Sequence, residues 1–169
     1  MICIGGSAPF PALLYCFSVV DLLGGLYAGN LKRGRNVTAQ ARTYMIKMMR
    51  YDAHVAELLQ QIFRHKLVHT SEPRGVLSWR GDIYSWAIRH ADPAQHLTIQ
   101  DLGGKNYERF AGLKIRCDKR FSVSIMDFAS DIQRSVVREG HGYLATLQQS
   151  PEARYKFERA MLQLCSPEE

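Results

Sequence analysis

The sequence has no C-x-x-C pair: Cys3, Cys16, Cys117 and Cys165 are scattered through a chain of 169 residues. That spacing argues against a zinc site built from cysteines. A chain of this length can bury a proper core without disulfides, so four reduced thiols in a cytoplasmic protein are expected. Low-complexity tracts and internal repeats are also missing, and no boundary has the composition of a flexible linker. One compact domain over residues 1–169 is therefore expected. The Glu of the H-E-x-x-H zinc signature is absent too, so neither a metal nor another cofactor is expected.

Basic residues are missing ahead of the long apolar run at residues 9–28 (PFPALLYCFSVVDLLGGLYA), where a secretory signal would need them. The run approaches the length of a membrane span. Asp21, the Gly24-Gly25 pair and two early prolines count against a span. The basic residues Lys32, Arg33 and Arg35 behind it would suit a topogenic flank. The preferred reading is a core helix, apolar nearly all round because other elements enclose it, in a protein with no membrane attachment.

What is present in excess is positive charge. The chain carries a net charge of +6, and residues 30–120 hold 17 Lys or Arg against 8 Asp or Glu. A basic centre suits an anionic partner such as a nucleic acid, a nucleotide or lipid headgroups. A solvated basic face without a partner accounts for the same count equally well.

Periodicity predicts a first helix from about Pro11 to Ala28, stopped by Gly29-Asn30, and a second from about Asn36 or Thr38 with Ala41, Tyr44, Met45 and Met48 on one face. A third follows Asp52, a suitable N-cap, with the stripe Val55, Leu58, Leu59, Ile62 and Phe63, and ends around His69–Thr70 ahead of Pro73. Residues 74–120 change character: Trp79, Tyr84, Trp86 and Ile88 are broken by Gly81-Asp82, Pro93 and Gly103-Gly104. Short strands are expected near 83–89, 95–99 and 112–117. Helical spacing returns at Ile125, Phe128, Ile132 and Val136, continuing to about Gln149, and Ser150-Pro151 starts a last helix.

The end of the third helix reads RHKLVH. His65 and His69 lie one turn apart on one face, with Arg64 beside them. Arginine offers a planar fork that matches two phosphate oxygens and keeps its charge at neutral pH. Histidine donates or accepts a proton near neutrality. RNA supplies its own nucleophile in the 2′-hydroxyl, so this trio suits phosphodiester chemistry without a metal. A helix-terminal arginine paired with a carboxylate and a histidine bonded to a carbonyl are the structural alternatives. Arg89, His90 and His96 fit a similar spacing but fall on an expected strand and loop, so they are set aside.

The string R-H-x-x-x-H resembles the Arg–polar–x3–His signature of the HEPN superfamily of nucleotide-binding helical domains. The stretches VVDLLGGLYAGN and IFRHKLVHTSEP look like bacterial proteins of that kind. The resemblance implies a mainly α, HEPN-like helical bundle, with a small β appendix at about 74–120 inserted between helices three and four. It also implies an RNA- or nucleotide-binding protein and homodimer, and, as for many relatives, a metal-independent endoribonuclease of a defence or toxin–antitoxin type system, with an antitoxin as the kind of protein partner. The alternative is a catalytically inactive HEPN-like binding module. Arg64 would hold the phosphate, His69 would act as general acid or base, and His65 would assist. Lys66, Arg33 and Arg35 are the expected nucleic-acid contacts.

Overall fold

A computed structural model describes residues 9–32, 36–65, 75–110 and 113–165, with side chains throughout except at 104–110 and 113. Among these residues the helices are α1 (Pro9–Ala28), α2 (Val37–Lys47), α3 (Ala53–Leu58), α4 (Ile125–Val137), α5 (Tyr143–Gln149) and α6 (Pro151–Cys165). A π-helical turn, Leu59–Arg64, continues α3. The strands β1 (Leu77–Trp79), β2 (Asp82–Arg89), β3 (Ile99–Phe110) and β4 (Leu113–Ser124) form one sheet in the order β1-β2-β4-β3. β2 and β4 run parallel, and both outer pairings are antiparallel.

This α+β architecture overturns the expectation of a mainly α, HEPN-like bundle with a small β appendix. The sheet does follow the third helix, but β3 and β4 are each 12 residues long. In β4 the apolar Leu113, Ile115 and Cys117 alternate with Lys114, Arg116 and Asp118, the period-two signature of a strand. The expected break at Gly103-Gly104 is instead absorbed within β3. The register shifts between Asp101 and Asn106, and Gly103 takes φ +58°, so the glycines bend the strand without ending it. The strand expected at 95–99 is a short 3₁₀ turn, Pro93–Gln95, leading into β3. β1 and β2 form a tight hairpin whose two turn residues, Arg80 and Gly81, have φ of 51° and 90°. Positive φ at both turn positions matches the twist of the flanking strands.

The chain divides into two compact units, one drawn from residues 1–15 and 58–129, the other from 16–57 and 130–169. In the first unit the π-helical turn lies on the sheet. The Phe63 ring is 5.9 Å from Trp86 and 6.1 Å from Phe121, and Phe10 meets Trp86 edge-on at 6.1 Å. Trp86 is thus a packing residue. Leu77, Tyr84, Cys117, Phe121 and Val123 supply buried side chains from the strands. α4 starts directly after β4, and the Ser124 hydroxyl donates to the carboxylate of Asp127 in the first turn of the helix.

In the second unit α1 closes with a Schellman motif, in which Gly29 N–H bonds Leu26 O and Asn30 N–H bonds Gly25 O at 2.9 Å. Gly29, at φ +74°, is the stop expected at that position. α6 holds this corner: Arg159 Nε donates to Gly29 O at 2.9 Å, and Leu31 N–H donates to Gln163 Oε1 at 2.6 Å. The Asp52 cap is also formed, His54 N–H donating to its Oδ1 at 2.7 Å. The long helix expected to reach Gln149 stops at Val137. Gly140 is left-handed there, and Gly142 N–H folds back onto Arg138 O at 2.7 Å. Tyr27, Tyr44 and Tyr143 pack ring against ring with centroids 6.0–6.1 Å apart. Tyr44 is fully buried, and its hydroxyl lies 2.9 Å from Ser135 Oγ.

Among the described residues, α1 is the one helix long and apolar enough to cross a membrane, and 39% of its apolar window is buried. Its exposure is uneven: Cys16, Phe17 and Val20 are buried, while Tyr15 is 72% and Leu22 44% exposed. It is not the all-round enclosed helix expected from its composition.

Two outcomes follow from the second unit. A Cβ on Gly24 would lie 2.7 Å from the backbone nitrogen of Ala41, so α1 and α2 touch backbone to backbone there. Gly24→Ala should lower the chemical-denaturation midpoint even though alanine favours helix by about 1 kcal/mol. A midpoint that held or rose would show that α2 can slide. Burial pushes the Tyr44 hydroxyl up to about 12, against the lowering effect of Ser135. The folded state then holds this proton more tightly than the unfolded chain, whose tyrosines titrate near pH 10. Its contribution to stability should be intact below about pH 10 and lost progressively towards pH 12. Equilibrium unfolding across that window should show the decline, and Tyr44→Phe should make it shallower.

Candidate functional site

The segment that carries the candidate trio is held by its neighbours on the sheet. Leu58, Leu59, Ile62 and Phe63 are at most 1% exposed, as the predicted stripe requires. The hydrogen bonding then changes register: His65 N–H bonds Gln60 O, five residues back. A π-helical turn is wider than an α-helical one, and such turns recur at functional sites. Here the polar residues Gln60 and Arg64, four apart, are also buried, at 2% and 8% exposure.

Arg64 and His65 therefore differ sharply. Arg64 is enclosed, whereas His65 is exposed, and both interact with neighbouring groups. A buried guanidinium needs such partners, because an unpaired charge away from water is very costly. His69 and Lys66 lie outside the described residues, as do Arg33 and Arg35. The structure thus describes two of the six expected site residues.

Gln60 is the residue that the sequence reading passed over. Neither its Oε1 nor its Nε2 has a hydrogen-bond partner among the described residues. Its spacing to Arg64 was visible in the sequence, but its burial was not: glutamine at that position reads as the polar edge of an amphipathic helix.

Other polar clusters have structural explanations. Ser124, His96 and Asp127 bring together the residue types of a hydrolytic triad. The Ser124 hydroxyl is committed to the Asp127 carboxylate in the first turn of α4, and His96 Nδ1 accepts the Ser124 backbone N–H at 3.2 Å. Arg89 and His90, from the spacing set aside above, sit at the end of β2 and just beyond it. In the second unit the Tyr51 hydroxyl donates to Asp131 Oδ2 at 2.6 Å, and Asp131 is also paired with Arg134. Burial, and then the bond to Asp131, push the Tyr51 hydroxyl well above its ordinary value, so it stays protonated. Among the described residues no group of three His, Cys, Asp or Glu is placed to hold a metal ion. Among the described residues Cys16, Cys117 and Cys165 form no disulfide, and the first two are buried.

No family model matches the chain, and no curated protein or solved structure is detectably similar to it.

The unpartnered Gln60 amide gives a direct test. Replacing it with methionine, close in shape and apolar, removes two buried polar atoms with no described partner. Gln60→Met should raise stability by about 1–3 kcal/mol, read from urea unfolding. A loss of stability would mean that the amide is bonded by a residue outside the described segments.

Proposed function

We propose that this protein binds RNA on a basic surface and does not cleave it. The observation that carries the choice is the burial of Arg64, the cation expected to hold the phosphate, which is 8% exposed. A cleavage site needs its cation and its acid–base group on the same open surface, within reach of one phosphate. The resemblance of R-H-x-x-x-H to the HEPN signature and the excess of basic residues between 30 and 120 support an RNA ligand. Three cysteines that form no disulfide among the described residues fit a reducing, cytoplasmic setting.

One observation favours the second reading, a metal-independent ribonuclease using Arg64, His69 and His65: the π-helical turn ends at Arg64. The two readings separate on short RNA incubated in EDTA with wild type, Arg64→Lys and His69→Gln. Wild type should retard the RNA in a gel and leave it intact, and both variants should do the same. Cleavage that either substitution abolishes would replace binding with catalysis as the function. RNA neither retarded nor cleaved would overturn both readings.

A further inference from the structure

The pairing of β4 is uneven along its length. Lys119–Phe121 pair with both β2 and β3, and β2 reaches no residue of β4 before Lys119. The first half of β4, Leu113–Cys117, pairs with β3 alone, over Asn106–Phe110. A two-stranded ribbon therefore extends past the end of β2. Residues 104–120, which span it, hold six Lys or Arg against two Asp or Glu. This surplus of four is large beside the net charge of +6 for the whole chain.

The register sorts that charge by face, since residues opposite each other in a sheet share a side. Lys114, Arg116 and Arg120 stand at alternate positions on one side, opposite Arg109, Tyr107 and Gln100 respectively. Glu108 and Asp101 pair with Ile115 and Lys119 and so belong to the other side, where Lys119 is also bound to Asp82 at 2.5 Å. The exception is Asp118 on the basic side. Its Oδ2 accepts the backbone N–H of Ile83 at 2.9 Å, which secures the start of β2. Lys114 and Arg116 are exposed, and Arg120 is half-buried.

We infer that this side of the β3–β4 ribbon binds single-stranded RNA along its length, an inference that rests on the RNA-binding reading above. Alternate residues of a strand are about 6.7 Å apart, and Lys114 to Arg120 spans about 20 Å. The step resembles that between successive phosphates of an extended single strand, so Lys114 and Arg116 can meet neighbouring phosphates and Arg120 one further along, past the Asp118 that is tied to Ile83. A tyrosine position beside the Arg116 position places an aromatic residue in the basic row, the combination that single-strand binders use to follow the backbone and stack bases. An A-form duplex is a poorer match, because its bases are paired and stacked inside the helix and offer no free face to an aromatic residue.

The test compares wild type with Lys114→Gln/Arg116→Gln. A second double variant, Lys47→Gln/Arg138→Gln, has the same net charge and alters exposed positions outside the sheet. Affinity for a fluorescein-labelled single-stranded RNA is measured by anisotropy across a salt series, with a paired RNA duplex in parallel. The ribbon variant should lose on the order of tenfold or more at low salt, and its log–log salt slope should be shallower by about 1.4, at about 0.7 per phosphate on a single strand. The control should stay close to wild type. Lys114→Arg/Arg116→Lys, which keeps the charges, should retain binding and confirm that the ribbon tolerates substitution. Equal losses in ribbon variant and control would overturn the ribbon as the site while leaving RNA binding intact. Duplex bound as tightly as single strand, with the same dependence on Lys114 and Arg116, would overturn the single-strand assignment. Ribbon-dependent capture of polyglutamate as strong as that of RNA would overturn it in favour of an acidic protein partner. Wild type that binds neither RNA would bring down the RNA-binding reading itself.

Discussion

Phe63 sits against Trp86 of β2 and Phe121 of β4, and the organisation of the first unit depends on that contact. Fully burying an aromatic side chain contributes about 1.5–3 kcal/mol, and ring pairing adds up to about 1.5 kcal/mol. The contact anchors the π-helical turn on the sheet. Gln60 and Arg64 belong to the same turn and are enclosed with it. The accessibility of Arg64 is thus set by packing around a neighbour, and not by anything in the R-H-x-x-x-H string. A short motif specifies which residues are present. Whether they reach solvent depends on what covers the element that carries them.

Much of the helical part could be read from the sequence, and the reasons are local. The Asp52 cap, the Gly29 stop and the Ser150-Pro151 start each satisfy backbone groups within a few residues, so their chemistry is legible without a fold. Ala153 N–H donating to Ser150 Oγ at 3.2 Å is one such case. The stripe from Leu58 to Phe63 was legible for the same reason. The sheet was not. Gly103-Gly104 has the composition of a turn, and only the pairing partner of β3 decides that the chain bends there and continues. The parallel pairing of β2 with β4 joins residues 35 apart, such as Tyr84 and Lys119, and no local pattern specifies it.

The candidate site divides along the same line. Arg64 and His65 could be singled out by residue type and spacing, but their opposite exposures come from tertiary packing. Gln60 looked like an ordinary polar helix residue because its burial is a property of the whole unit. The basic ribbon was visible only as a regional excess of charge. It became a surface with two chemically distinct sides once the register fixed which residues stand opposite one another. Charge counts along a chain cannot make that separation, whereas a strand's alternation makes it at every second residue.

The position of β4 within the sheet also bears on how the protein assembles. It is the last of the four strands to leave the ribosome, yet it lies between β2 and β3. Until Ser124 has emerged, β1 and β2 can close their tight hairpin, but the far edge of β2 has no partner and β3 has nothing to join. A sheet of more than two strands then forms in a single late step, with a loop-closure cost that shorter-range contacts avoid. During that interval the apolar positions of β2, Tyr84 and Trp86 among them, await their cover. The nascent chain is then most open to association with other copies of itself.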